Sequence, residues 1–236
     1  MATAVPVERD AVAEAFPGDA EQVRLPGATL VRSGGGCDLL AAGVGPAAAA
    51  ASTAAALTAA ALGGTPYGLV VCAGIGGGFL PGAPVGSLVV SGTIAVADLG
   101  AETADGFLPV TELGFGHVAH HPPESLVREA VRVTGARPGT VLTVSTVTGT
   151  AARAAELRAR HPDALAEGME GFGVAEAAVA QGLPVLEVRA VSNPVGPRDR
   201  AAWRIGDALS ALTAGFGKLA PVLESWIQHD HPDDHA

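Results

Sequence analysis

The sequence predicts an α/β fold, a three-layer sandwich with a central mixed, largely parallel sheet flanked by helices. Three observations carry this. Short β-branched runs at 69–73, 141–145 and 185–191 alternate with longer Ala-rich stretches, the pattern of strands joined by crossover helices. The chain is 48% hydrophobic but only 4% aromatic, with 32 glycines in 236 residues, so its core must be built from Ala, Val and Leu with close backbone approaches. No internal repeat or long linker divides it, which makes residues 1–228 one domain and leaves the polar stretch 229–236 as a disordered tail.

In chain order, a short strand at 3–5 precedes a helix over 9–15, then hairpin-like strands at 29–32 and 38–42 and a helix over 47–62. The run 69–73 reads as a buried strand that opens into the loop Gly74-Ile75-Gly76-Gly77-Gly78, and 87–97 as a strand pair. Helices are expected over 124–133 and 151–160, with the strand 141–145 between them. An Ala-rich helix over 174–181 is closed by Gly182 and Pro184, the strand 185–191 follows, and a helix over 205–226 ends the fold.

Composition excludes several classes of function. The net charge is −10 and Lys218 is the only lysine, so there is no basic face for a phosphate backbone and nucleic acid is set aside. Stretch 41–62 is apolar but rich in weakly hydrophobic Ala and broken by Gly43, Gly45 and Pro46, which makes it a buried helix and not a membrane span. Cys37 and Cys72 lack the spacing of a metal or redox pair. They read as buried free thiols, and with no basic-then-apolar leader after Met1 the expected location is the cytoplasm. His117, His120 and His121 cluster near Pro122-Pro123 without a matching carboxylate or cysteine pattern, so no metal is expected there.

No cofactor is expected either. Gly43-Val44-Gly45 lacks the third glycine of a dinucleotide fingerprint, the Gly74 loop runs into Phe79-Leu80-Pro81, and neither loop is followed by Gly-Lys-Ser/Thr. Two readings of these glycines remain, tight structural turns or backbone that lets a flat or hydroxyl-rich ligand approach.

Polar groups break out at two places in this apolar chain, Gly168-Met169-Glu170-Gly171 and Ser192-Asn193-Pro194, the second just past a predicted strand end where α/β sheets bind ligands. Each has a bland reading beside the functional one: Glu170 as a helix cap, Asn193 as a turn residue before Pro194.

Taken together, Ala4-Val5-Pro6-Val7-Glu8, the 74–78 loop, Met169-Glu170 and Ser192-Asn193 resemble the nucleoside phosphorylase and nucleosidase superfamily over nearly the whole chain. Within it, Ser192-Asn193-Pro194-Val195-Gly196-Pro197-Arg198-Asp199-Arg200 and Ala202-Trp203-Arg204 are most similar to the futalosine hydrolases, which remove hypoxanthine from futalosine on the way to menaquinone. The resemblance implies roles. Glu8 would activate water, Glu170 would hold the ribose hydroxyls, Met169 would pack beneath the sugar, and Ile75, Gly76, Gly77 and Ser192 would line the pocket.

Asn193 stands where adenine-specific members carry Asp. Hypoxanthine presents two acceptors there, N7 and O6, which an amide NH₂ can satisfy and a carboxylate would repel. Arg198, Arg200 or Arg204 would grip the substrate's benzoate, and Trp203 would cover the purine or ribose. Relatives are dimers, so a homodimer is implied, with 107–115 the candidate donor to the neighbouring pocket. The uncharged Gly74-Ile75-Gly76-Gly77 favours water over phosphate as nucleophile, although Arg32 could approach. The alternatives are a methylthioadenosine/S-adenosylhomocysteine nucleosidase, a 6-oxopurine phosphorylase and a non-catalytic nucleoside-binding protein. One departure from the pattern is that only seven residues precede Glu8, so its first strand must be short.

Overall fold

The computed structural model describes residues 1–33 and 36–229. The tail expected beyond His229 lies outside them. In order the elements are β1 (Ala2–Thr3), α1 (Pro6–Ala13), β2 (Glu21–Leu25), β3 (Ala28–Arg32), β4 (Asp38–Ala41), α2 (Pro46–Leu62), β5 (Val70–Gly78) and β6 (Leu88–Val96). There follow β7 (Gly100–Thr103), β8 (Gly106–Pro109), β9 (Ala119–His120), α3 (Glu124–Thr134), β10 (Arg137–Thr143), α4 (Ala151–Arg160), β11 (Ala164–Gly168), α5 (Gly171–Val179), β12 (Val185–Pro194) and α6 (Ile205–His229).

The main sheet runs β11-β10-β6-β12-β5-β1-β4-β3-β2, with β9 on the free side of β6 and β7-β8 a separate hairpin. Pairing is parallel where crossover helices join the strands: β1 with β4 and β5, β5 with β12, β6 with β10, and β10 with β11. It is antiparallel in the β2-β3-β4 meander and between β12 and β6. A second antiparallel contact, β11 against β5, joins the two ends of the β5-β12-β6-β10-β11 series, so these five strands close on themselves. The sheet is mixed, with helices on both faces as expected. One face packs Val12 of α1, Leu126 of α3 and Leu212, Phe216 and Leu219 of α6 against Val71, Val188 and Ala190. The other packs Ala49 and Leu57 of α2 and Val174 and Ala178 of α5 against Val70, Cys72 and Ile94.

Several boundaries differ from the sequence reading, for physical reasons. The glycine run 74–78 is not a loop but the second half of β5, since pairing with β12 on one side and β11 on the other overrides its turn signal. Backbone crowding explains its composition: a Cβ on Gly76 would lie 2.6 Å from the Glu167 carbonyl oxygen and one on Gly78 2.1 Å from that of Ala83. The expected pair at 87–97 is one strand, β6, and β12 runs on to Pro194, so Asn193 is inside a strand and not beyond it. The 117–121 loop contains β9, whose Ala119 and His120 pair with Ala95 and Ile94. The helix expected at 9–15 starts earlier, at Pro6, a residue preset for a first helical turn. Cys72 is buried and Cys37 half-buried, and both are free. Among the described residues no helix is long and apolar enough to cross a membrane.

α2 and α5 meet so closely that a Cβ on Gly173 would sit 2.1 Å from the Pro46 carbonyl oxygen. On an isolated helix Gly→Ala stabilises by about 1 kcal/mol. Here the sign reverses: Gly173→Ala should lose about 1–3 kcal/mol in urea denaturation, because two backbones must part to admit the methyl.

Candidate active site

Glu8 is placed by the start of the fold. β1 is only two residues long, yet Ala2 pairs with Leu40 and Cys72 and Thr3 with Ala41, which seats it between β4 and β5. The chain then turns into α1, and Glu8, in its first turn, points back to accept the backbone N–H groups of Ala4 at 3.0 Å and Val5 at 3.3 Å on one oxygen and of Ile75 at 2.8 Å on the other. Burial pushes its carboxyl above the ordinary value of 4.5, against the opposing pull of Arg189 and of the Ile75 and Val5 amides. A carboxylate raised in this way is a better proton acceptor than a solvated one.

Glu170 begins α5, but its side chain makes no cap hydrogen bond. It accepts instead from Gly45 N–H at 3.2 Å and Met169 N–H at 3.3 Å, and one oxygen lies 3.2 Å from Nη1 of Arg189. The capping reading of Glu170 therefore fails, and the Gly43–Gly45 turn serves to bring an amide to it. Met169 beside it is half-buried.

Arg189 and Glu187 were given no role from sequence, and they organise the centre. Both are fully buried, Arg189 at 1% and Glu187 at 0% exposure. They stand two residues apart on β12, hence on one face, and Nε of Arg189 donates to Glu187 at 2.8 Å. The guanidinium also donates to the Ile75 carbonyl at 3.3 Å. A Cβ on Gly74 would fall 2.7 Å from Nη1 of Arg189 and 2.9 Å from the Glu8 carboxylate, so Gly74 leaves room for both. Burial alone would pull Arg189 down, but Cys72, Glu187, Glu170 and Glu8 outweigh it and hold the guanidinium well above its ordinary value. Burial pushes Glu187 up, with Arg189 opposing. The signal available in sequence was the opposed charges at 187 and 189 inside an otherwise apolar strand.

Three residues farther along β5, Gly77 pairs with Asn193. Ser192, 2% exposed, reaches Asn193 Oδ1 at 2.8 Å, and Asn193 Nδ2 donates to the Pro194 carbonyl at 3.0 Å. Ser192 Oγ also lies 3.2 Å from the Gly76 carbonyl. Oδ1 thus accepts from Ser192, and of the two N–H bonds of the amide one is used on Pro194 and one remains to donate. Glu167, also without an assigned role from sequence, pairs with Gly77 from the opposite side and accepts the N–H of Thr148 at 2.9 Å and its hydroxyl. Burial raises Glu167, and the Thr148 donors oppose it.

The structure does not gather the arginines as the sequence reading has them. Arg32 faces Asp38 at 3.5 Å, and Asp38 stands at the start of β4, away from Glu8. Arg198 and Arg200 are exposed, Arg198 lying 5.8 Å from the ring of half-buried Trp203, and Arg204 pairs with Asp207 at 2.7 Å. The histidines are separately engaged: His120 meets Glu176 at 2.7 Å and its ring lies 5.2 Å from Phe172, while His121 approaches Thr93. Among the described residues no group of three or more His, Cys, Asp or Glu side chains is arranged to hold a metal.

Fold and carboxylate cluster together define a nucleoside-cleaving α/β enzyme. Residues 22–220 match the model of the Phosphorylase superfamily, and the chain belongs to that superfamily. It is 76% identical over 230 residues to a futalosine hydrolase of Streptomyces coelicolor, covering 98% of each chain, and 46% identical over 222 residues to one of Acidothermus cellulolyticus, covering 92% of this chain and 88% of that one. A solved structure described as futalosine hydrolase of Helicobacter pylori superposes with a TM-score of 0.79 at 17% identity, covering 94% of this chain and 96% of that one, which shows the fold. Within the superfamily, this chain is a member of the futalosine hydrolases.

Arg189 is the only cation in contact with this cluster among the described residues, which makes its removal diagnostic. Arg189→Ala should cost about 3–5 kcal/mol, the penalty for uncompensated buried charge. The sign with pH follows from Glu8 and Glu187: without the cation their folded pKa values rise further above 4.5, so the loss deepens as pH climbs from about 4.5 and these carboxylates must ionise unpaired. Urea denaturation at pH 5 and pH 8 checks this, and a loss equal at both would contradict it.

Proposed function

We propose that the pocket bounded by Glu8, Glu170 and Asn193 hydrolyses the N-glycosidic bond of futalosine, releasing hypoxanthine and leaving dehypoxanthine futalosine for menaquinone synthesis. The activity is that of a nucleosidase, in keeping with the family. The observation that supports this arrangement best is the buried carboxylate of Glu8, fixed by three backbone N–H groups and raised by burial, beside a second carboxylate at Glu170.

Cleavage proceeds through a ribosyl cation-like state, and each residue answers one of its needs. Glu8 takes a proton from the attacking water, a contribution of about 10²–10⁴-fold for a well-placed general base. Glu170 accepts from the ribose hydroxyls, and its negative charge favours the positive charge that develops at the anomeric carbon. Met169 packs against the sugar. Asn193 donates to N7 or O6, drawing electrons into the departing purine. Ile75, Gly76 and Gly77 supply the strand edge along which the nucleoside lies, and Ser192 keeps the Asn193 amide turned donor-outward.

Water is the nucleophile in this reading. The one cation in contact with the cluster, Arg189, is committed to Glu187 and Glu170, and Arg32 faces Asp38, so among the described residues no positive group beside the Glu8–Glu170 cluster is left over for a phosphate. Arg198 and Arg200, exposed on the segment after Asn193, are available to a benzoate carboxylate at the pocket's outer end, with Trp203 between them and the sugar. The working unit is a homodimer. Exposed Phe115 and Leu113, on the segment after the β7-β8 hairpin, give it an apolar contact.

Chromatography of released base, with and without phosphate, tests the reading. Futalosine should yield hypoxanthine at a rate phosphate does not change, with inosine and methylthioadenosine far poorer. Glu8→Ala should lose about 10²–10⁴-fold in kcat. Asn193→Asp should lose 6-oxopurine release by about 5- to 100-fold, the penalty of setting a carboxylate against O6. For the wild type, kcat/KM should fall as pH drops through a value above 4.5, because Glu8 must be ionised to act. Strict phosphate dependence, or release of adenine only, would place the chain with a sibling activity.

A further inference from the structure

A 6-oxopurine carries three polar groups along one edge: N7 and O6, which accept, and N1–H, which donates. Asn193 answers the acceptors. A buried N1–H without an acceptor would cost the complex on the order of 5- to 100-fold in affinity, so a base pocket of this kind needs a second group facing N1.

The sheet supplies one. Asn193 and Glu167 are both Cα partners of Gly77, Asn193 through the parallel β12–β5 pair and Glu167 through the antiparallel β11–β5 pair. Residues paired across strands point to the same face in a regular ladder, as at Glu167; β12 is bulged between Val191 and Asn193, and there the 3.5 Å between Asn193 Nδ2 and the place a Gly77 Cβ would take puts the amide on that face. Glu167 and Asn193 therefore flank Gly77 on one face, two strand spacings or roughly 9–10 Å apart at their Cα atoms. The neighbours agree: Ala166 is turned the other way, into the cluster of Val89, Val141 and Val191, whereas Leu142, the β10 partner of Glu167, packs with Val144 and Leu157, and Val195 packs against that group. Between the two polar side chains Gly77 offers no side chain, and a Val195 methyl lies 2.8 Å from where its Cβ would be, which gives an apolar strip suited to a flat base.

Glu167 is also chemically free to receive the proton. Its carboxylate is 4% exposed and forms no ion pair among the described residues; its oxygens accept from the N–H and hydroxyl of Thr148, itself buried. Two carboxylate oxygens offer about four acceptor sites, so Thr148 leaves half of them open. Pinning Thr148 alone would need only a neutral acceptor, at a lower desolvation cost than a carboxylate.

We infer that Glu167 is a specificity-determining residue of the base pocket: its carboxylate accepts N1–H of a 6-oxopurine while Asn193, across Gly77, donates to the O6/N7 edge. The inference rests on the reading of this pocket as a purine nucleosidase site. It adds a second discriminator against 6-aminopurines, whose N1 is an acceptor and would face a carboxylate's lone pairs.

The test pairs calorimetric binding of free bases with kinetics. On the wild-type protein, 1-methylhypoxanthine should bind at least about tenfold more weakly than hypoxanthine, and equal affinities would overturn the inference without any variant being made. Glu167→Gln, with folding checked by thermal denaturation, should lower kcat/KM for futalosine by about 10- to 100-fold and leave its 6-amino counterpart unchanged or improved, since the amide NH₂ can donate to N1. Parallel losses on both substrates would mean that Glu167 only anchors the Thr148 loop, and would sink the proposal. If the wild type released no base from futalosine, the hydrolase reading would fall by itself, and the comparison of hypoxanthine with its N1-methyl form would still decide the Glu167 contact.

Discussion

The buried guanidinium of Arg189 is the interaction on which the rest of this molecule depends. One cation faces Glu187, Glu170 and Glu8, and none of the four is more than 4% exposed. A cluster with more carboxylates than cations is unstable unless some carboxyls are driven up in pKa or held by other donors. Both occur. Glu8 and Glu187 are raised by burial, and Glu8 and Glu170 take backbone N–H groups from four separate parts of the chain, the β1–α1 turn, the Gly43–Gly45 turn, β5 and Met169 between β11 and α5. The burial that raises the Glu8 carboxyl, only partly offset by Arg189, is the property on which its proposed role as proton acceptor rests.

Glycine is the structural counterpart of that cluster. Gly74 leaves space for both Arg189 and Glu8, and a Cβ on Gly168 would meet the Arg189 guanidinium carbon at 2.8 Å. On Gly171 it would fall 2.1 Å from the Glu187 carboxylate. Three charged side chains thus occupy volume that these glycines vacate. This is why the glycine-rich stretch carries neither a nucleotide-binding turn nor a flexible loop. It is strand backbone pared down so that other chains' worth of polar atoms can reach the sheet.

Much of this was legible in the sequence, and the gaps have physical causes. The alternation of strands and helices followed from local patterns, and Glu8, Glu170 and Asn193 were singled out through the family resemblance; the structure brings Glu8 and Glu170 to Arg189 and sets Asn193 beside Gly77. What stayed hidden was non-local. β11, Ala-Leu-Ala-Glu-Gly, has no β-branched residue and owes its existence to pairing with β10 and β5, so Glu167 had no visible address. Arg189 sat in plain view inside a strand. Periodicity assigns such a residue to a face, with Glu187 beside it, but cannot say that two carboxylates from other elements, Glu8 and Glu170, will meet it there. The arginines of the 198–204 segment are a different case: a basic stretch after a site residue looks purposeful in sequence, but sequence does not say that Arg198 and Arg200 stand exposed while Arg204 pairs with Asp207.

The antiparallel contact of β11 with β5 links these observations. In an open parallel sheet the carboxyl ends of β5 and β12 would form one lip of a crevice, and a ligand would be read from that side only. Bringing β11 against the far half of β5 adds a second lip, so that Gly77 lies between two strands that each contribute a polar side chain to the same face. The same closure carries Glu170, two residues beyond Gly168 at the end of β11, to Arg189, and so couples the sugar end of the pocket to the charge cluster beneath it. The proposed base recognition and the proposed proton acceptance therefore both rest on one topological choice. Loosening the β11–β5 contact would disturb both together, whereas changes to Asn193 or Glu8 act on each alone.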